Sequence, residues 1–291
     1  MLADATALIG FLFSAALAEP RTLGAILLTC VFIALACLLG YRHRVVSRTA
    51  LMNTLTTFGI MAINLMLAPL IYFAAEAMRG AYASLGLPSV SPSFWMQTPW
   101  LIVALIALVT TDFANYCVHR ALHTKIGWPI HAVHHSDTHV NGFTTFRVHA
   151  LELVMMTGFY IALLTWIGIP AELVVAAHVL SGMHNAYVHL EADIDHGPLN
   201  WLIASPRFHR WHHADKPEAY GKNLANIMPL WDKLFGTYYE AGPCHEIMGA
   251  ERDGIPATDP VKLALLPFAL WLTQAREMLG KVGAARAPRM P

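Results

Sequence analysis

Residues Val118–His135 read VHRALHTKIGWPIHAVHH. Five of the histidines form two groups, His119-xxx-His123 and His131-xx-His134-His135, and the second pattern returns downstream as His209-xx-His212-His213. Residues three and four apart share a helical face, so each group is expected on a helix with its imidazoles aimed in one direction. Imidazole is the commonest protein ligand for transition metals, and a pair four apart presents two of them efficiently. One H-x-x-H-H alone is ordinarily a satisfied polar feature. Here fourteen of the sixteen histidines lie between His119 and His213, and the longer motif occurs twice. Eight such ligands are too many for one ion, so the pattern predicts two metals held between helices.

The composition around this stretch describes the solvent. The chain is 56% hydrophobic and 13% charged, with a mean hydropathy of +0.48. A water-soluble domain carries about a quarter charged residues, so most of this surface is expected to meet something other than water. The formal net charge of +0 gives no sign of a nucleic-acid partner. Cys30, Cys37, Cys117 and Cys244 show no C-x-x-C pairing and imply no disulfide framework.

Residues 1–19 (MLADATALIGFLFSAALAE) have a cleavage-like Ala16-Leu17-Ala18, but they carry Asp4 and no Lys or Arg before the apolar run. This favours a membrane-associated helix over a signal peptide. Residues 22–40 are uncharged and long enough to span a bilayer core of about 30 Å. Arg42, Arg44 and Arg48 follow, which places that end in the cytoplasm. A second span over 55–75 returns to the far side, 79–96 reads as an irregular loop, and a third span over 98–117 delivers His119 and His123 to the cytoplasmic edge. Apolar stretches 150–168 and 171–190, joined by Gly168-Ile169-Pro170, form a helical hairpin that leaves and re-enters on that same side. All three histidine groups therefore fall on one face of the membrane. The apolar run in 261–275 is short and interrupted by Pro267, so an interfacial or packing helix is expected there.

Asn185 and His189 are four apart and share a face on the return helix, whereas His184 and His189 are five apart and diverge. His189 is thus a further ligand candidate, with Asn185 placed to hold a metal-bound water. His184 reads as a polar residue near the site.

His119-Arg120-xx-His123, His131-xx-His134-His135-Ser136, Arg147-x-His149-xx-Glu152 and Pro206-xx-His209-Arg210-x-His212-His213 together resemble the motif series of the membrane fatty acid hydroxylase and sterol desaturase superfamily. The run Tyr220-Gly221-Lys222-Asn223 and the stretch Trp231–Tyr238 are similar to that family's closing signature, and Asn185-xxx-His189 is similar to an extra ligand element of the related acyl desaturases. The likeness covers about residues 100–240. Alanine follows both His149 and His213, where proline and serine are common in the family; neither change removes a ligand.

The resemblance implies an all-α integral membrane bundle of about four to five spans, with a cytosolic helical cap holding a histidine-rich di-metal site. It implies N-terminal membrane helices over 1–97, a catalytic domain over 98–240 and a C-terminal tail over 241–291. The ligands it implies for two iron ions are His119, His123, His131, His134, His135, His189, His209, His212 and His213. Asp112, Arg147, His149, Glu152, His184 and Asn185 are candidates to support them, the carboxylates by accepting the second N–H of an imidazole. Neutral imidazoles suit iron. The activity implied is O2-dependent hydroxylation or desaturation of a membrane lipid. No haem-attachment motif or G-x-G-x-x-G is present, so electrons are expected from a separate donor protein.

Two other classes use clustered histidines. A membrane zinc hydrolase needs about three protein ligands and an open position, and the chain lacks H-E-x-x-H. A metal-binding or transport protein is expected to carry polar residues along its spans, yet 22–40 has none charged and 150–168 has Glu152 alone.

Overall fold

The structure is a computed structural model that describes Val31 and residues 47–87, 89–169, 171–250 and 254–286. The helix expected over 1–19 and the first span expected over 22–40 lie outside the described residues, Val31 apart. The described residues are helical and contain no strand; a single isolated bridge joins Ala214 to Met248.

Helix α1 covers Arg48–Ser84, started by the Ser47 hydroxyl, which accepts from the Ala50 N–H at 3.0 Å. It runs past the expected loop boundary at 79. The Glu76 carboxylate meets Arg79 one turn on at 2.7 Å, and the Ser84 hydroxyl donates to the Ala81 carbonyl at 2.8 Å. The loop shrinks further because Ser91 caps a short helix, α2 (Pro92–Met96), with proline at its start. Helix α3 covers Trp100–Leu122. Helices α5 (Ala150–Ile167) and α6 (Ala171–Val188) form the expected hairpin. Gly168 turns it with φ +69°, and a Cβ there would sit 2.2 Å from the Val90 carbonyl oxygen, so no other residue fits.

Among the described residues, α1, α3 and α5 are long and apolar enough to cross a membrane; α6 falls outside that set. The bundle packs α1 on α5, α5 on α3 and α3 on α6. Its far end is closed by Trp95, Val103, Ala107, Leu164, Ile169 and Ala177. The chain is a helical membrane protein.

The remaining elements gather where α3 ends, α5 begins and α6 ends. They include α4 (Trp128–His135), α7 (Pro206–His213), α8 (Leu230–Phe235) and a 3-10 turn over Gly142–Phe146. The C-terminal helix α9 (Pro260–Arg286) continues through Pro267, beyond the expected 261–275, and packs on α4 and α1. An interior proline costs a helix about 3 kcal/mol. Leu263 and Leu266 offset this by burial against Ile60, Ala132 and Val133, at about 1.5–3 kcal/mol per side chain. Past the proline, Trp271 Nε1 donates to the Ile126 carbonyl at 2.9 Å.

Candidate metal centre

Helices α4 and α7 are two copies of H-x-x-H-H, and each is short and started by proline in its first turn. In α7 the Ser205 hydroxyl also accepts from the Phe208 N–H at 3.2 Å. Arg207 on its outer side pairs with Asp193 at 2.9 Å and Asp195 at 2.7 Å, fixing the helix to the loop after α6.

The nine histidines come together in two groups. His119, His123, His131, His135 and His212 form one, and His134, His189, His209 and His213 form the other, with the ring nitrogens of each group within 4.8 Å of one another. The expectation that each motif aims its imidazoles in one direction is corrected. The pair four apart, His131 and His135, faces the first group while His134 turns to the second; in α7, His209 and His213 face the second while His212 turns to the first. Successive helical residues diverge by about 100°, so His134 cannot follow His135. The two helices thereby exchange one histidine each, and the groups are interlocked.

Within the first group, His119 Nε2 lies 2.9 Å from His131 Nε2, and His135 Nε2 lies 3.0 Å from His212 Nε2. Within the second, His189 Nε2 lies 3.0 Å from His209, 3.2 Å from His134 and 3.2 Å from His213. Two nitrogens each about 2.1 Å from one ion at a right angle are about 3 Å apart. His123 Nε2 is buried with no hydrogen-bond partner. The donor set, the spacing and that orphaned nitrogen fit a metal ion in each group.

The protonation state fits as well. Burial, then the neighbouring imidazoles, push His123, His134, His135, His209 and His213 well below the usual histidine range. Burial pushes His212 down to about 3. These rings are neutral at pH 7, with lone pairs free for a cation.

The tautomer is set from outside. His119 Nδ1 donates to the Leu224 carbonyl at 2.6 Å, His189 Nδ1 to the Asn185 carbonyl at 2.6 Å, and His212 Nδ1 to the Lys222 carbonyl at 2.9 Å. His131 Nδ1 donates to the Glu152 carboxylate, at 3.1 Å to Oε2. Carbonyls only accept, so each Nδ1 keeps its proton and each Nε2 turns its lone pair inward.

Glu152 therefore lies against His131, whereas Asp112 touches no histidine. Its oxygens accept from the Ile227 N–H at 2.8 Å, the Met228 N–H at 2.9 Å and Trp231 Nε1 at 3.0 Å, which corrects the expectation that it orients an imidazole. The reason is competition: three donors from one loop reach it first. Arg147 also meets no histidine; it donates to the Val133 carbonyl, the Ser136 hydroxyl, the Asn53 carbonyl and the Ala257 carbonyl, clamping α4 to α1 and the C-terminal segment. His149 Nδ1 accepts from the Leu151 N–H at 3.1 Å, and its Nε2 donates to the Ala264 carbonyl at 2.9 Å, so it caps α5 and ties down α9. His184 stands outside both groups, its ring beside Tyr187.

Sequence reasoning missed the carbonyls of Lys222 and Leu224, and it missed the carboxylate that holds them. Asp232 accepts from the Leu224 N–H at 2.7 Å, the Ala225 N–H at 2.8 Å and the Thr237 hydroxyl at 2.6 Å. Asn223 takes a left-handed φ of 55°, and its side chain bonds Phe208 and Tyr239. The available signal was the closing run Tyr220–Asn223 and Trp231–Tyr238, quoted above without a role. Trp128, its ring tilted against His123 at 5.5 Å and His135 at 5.2 Å, was also missed.

Two cavities reach the histidines. One of about 180 Å³ lies among the ends of α3, α5 and α6, touching His119 and His131 of the first group and His134 and His209 of the second. The other, of about 320 Å³, lies beside Trp128 and Tyr220 and reaches His123, His135, His212 and His213.

Residues 104–237 match the fatty acid hydroxylase family model. The chain is similar to the ornithine lipid hydroxylase of Rhizobium tropici, 29% identical over 167 residues, covering 55% of this chain and 49% of that protein. It is similar to the alkylglycerol monooxygenase of Homo sapiens, 30% identical over 195 residues, covering 66% and 41%. It is also similar to methylsterol monooxygenase 1 of Rattus norvegicus, 32% identical over 162 residues, covering 50% and 51%. The chain spans about half or less of the length of these curated relatives. No solved structure matches it.

Proposed function

We propose that the chain is an O2-dependent lipid hydroxylase or desaturase, with one iron in the five-histidine group and one in the four-histidine group. The observation that carries this reading is the pair of interlocked, all-imidazole groups opening onto a cavity among membrane-helix ends. The printed names of the relatives, monooxygenases and a lipid hydroxylase, support the same chemistry. All nine histidines serve as ligands. The unit 98–240 is read as catalytic, with 1–97 as membrane helices and 241–291 as a tail.

When bound, iron supplies the activation of O2 that makes an unactivated C–H bond reactive. The chain's own groups do the rest. Val118, Leu122, Leu153 and Met156 line the membrane-side cavity and would hold an alkyl chain while excluding water. Glu152 holds the Nδ1 proton of His131, and the Leu224, Lys222 and Asn185 carbonyls hold those of His119, His212 and His189. Electrons come from a separate donor protein, which meets the histidine-bearing end on the cytoplasmic side; the Arg42, Arg44 and Arg48 cluster in the sequence supports that side.

The test is O2 uptake by the detergent-purified, iron-loaded chain with a chemical reductant and a panel of membrane lipids. Reductant-dependent uptake, coupled to a lipid carrying a new hydroxyl or double bond, is the expected result. Hydrolysis products without O2 uptake would instead support a zinc hydrolase.

A further inference from the structure

We propose that Asn226 reads an uncharged hydrogen-bond donor, a hydroxyl or an amide N–H, carried by the substrate lipid near its reacting carbon. This rests on reading the membrane-side cavity as the lipid's seat. Asn226 lines that cavity, is only 7% exposed, and leaves Oδ1 buried without a hydrogen-bond partner among the described residues. A buried acceptor without a donor is unfavourable, so a native one calls for an explanation.

The direction of the amide is fixed. Asn226 Nδ2 lies 3.2 Å from the Ser181 carbonyl oxygen and 2.7 Å from the Ser181 hydroxyl. A carbonyl only accepts, so the nitrogen must face Ser181 and the oxygen must face away from it. Its position is fixed too. The next two residues, Ile227 and Met228, donate their N–H groups to Asp112. Two residues before it, Leu224 holds His119 by its carbonyl. One braced loop therefore carries both the unpaired acceptor and the support of a metal-facing imidazole.

The charge of the cavity selects what can pair there. Among the described residues no Lys or Arg lines it; Asn115, Asn185 and Thr145 are neutral. Its one carboxylate, Glu152, is engaged by His131 Nδ1. A substrate carboxylate or phosphate would find no cationic side chain there and would face the Glu152 carboxylate, so only the irons themselves could draw it. A hydroxyl or amide N–H finds Asn226 Oδ1.

The experiment measures binding to the iron-loaded, detergent-purified chain by ligand-induced thermal shift. The probes are a long-chain primary alcohol, its methyl ether and the matching secondary amide. On the wild type the alcohol or the amide should bind about tenfold more tightly than the methyl ether, the effect of one neutral hydrogen bond. Whichever of the two binds more tightly identifies the source of the donor. Asn226→Leu should abolish the preference, while Ser181→Ala should leave it in place. Equal binding of alcohol, amide and ether, or an alcohol preference that Asn226→Leu leaves intact, would overturn the proposal. The wild-type ranking decides the matter even if Asn226→Leu fails to fold. Failure of the hydroxylase reading is separate: it would show as absent iron or absent O2 uptake, whatever the lipid ranking.

Discussion

In the spanning bundle, Leu65, Phe73, Leu101 and Leu105 are exposed, and small residues such as Ala107 fill the narrow interior. In the histidine-bearing cap the order is reversed: Arg147, Asp137, His189, His213 and Asp232 are all buried. The bundle satisfies its polar backbone within each helix and meets lipid with apolar side chains. The cap has short helices and long connections, so its backbone is satisfied by buried carboxylates, an arginine and asparagines. Stability in the cap therefore depends on specific polar partners, while in the bundle it depends on a surface that tolerates exchange among apolar residues.

The difference is tested most strongly by acid. In the metal-free chain, burial holds His123, His134, His135, His209 and His213 below the ordinary value of 6.5 and His212 at about 3. Below pH 6.5 the unfolded chain takes up protons that the folded cap refuses, so stability falls as pH drops and continues to fall toward the folded values. Each such ring contributes about 1.4 kcal/mol per pH unit. Several together should unfold the metal-free cap between pH 6.5 and about 5, seen as loss of near-ultraviolet circular dichroism with the spanning helices retained. An unchanged signal down to pH 4 would contradict the account.

Arg147→Met comes next. It removes the donor shared by the Val133, Asn53 and Ala257 carbonyls and the Ser136 hydroxyl, and should cost about 3–5 kcal/mol in denaturant titration. Glu152→Gln is milder: it keeps the size of the side chain and removes the charge on His131 Nδ1. Iron affinity should fall about 10- to 100-fold with little change in melting temperature. Leu105→Ala, on the exposed face of α3, should change stability in detergent by no more than about 0.5 kcal/mol. A large loss there would show that this face packs against something.

The same contrast explains what could be read in advance. The spans expected over 55–75, 98–117 and 150–168 and the hairpin were legible because hydropathy and length are properties of the residues themselves. The histidine motifs named eight members of the two groups, His189 being added by its place one turn from Asn185 and by the family resemblance. The exchange of His134 and His212 between groups was not legible, since it depends on how α4 and α7 face each other. Nor were the Leu224, Lys222 and Asn185 carbonyls, because every residue has one and only the fold says which is aimed at an imidazole. Asp112 was assigned to the wrong partner for a related reason: sequence distance placed it near His119, while the 227–231 loop, more than a hundred residues on, claims its oxygens.

The central claim is that two interlocked groups each hold one ion, and metal stoichiometry tests it most directly. Elemental analysis of the detergent-purified chain should find about two irons in the wild type. His123→Ala, which lies in the first group alone, and His209→Ala, which lies in the second alone, should each retain about one. A single zinc in the wild type, or no stoichiometric metal, would contradict the account; so would the loss of nothing from either variant.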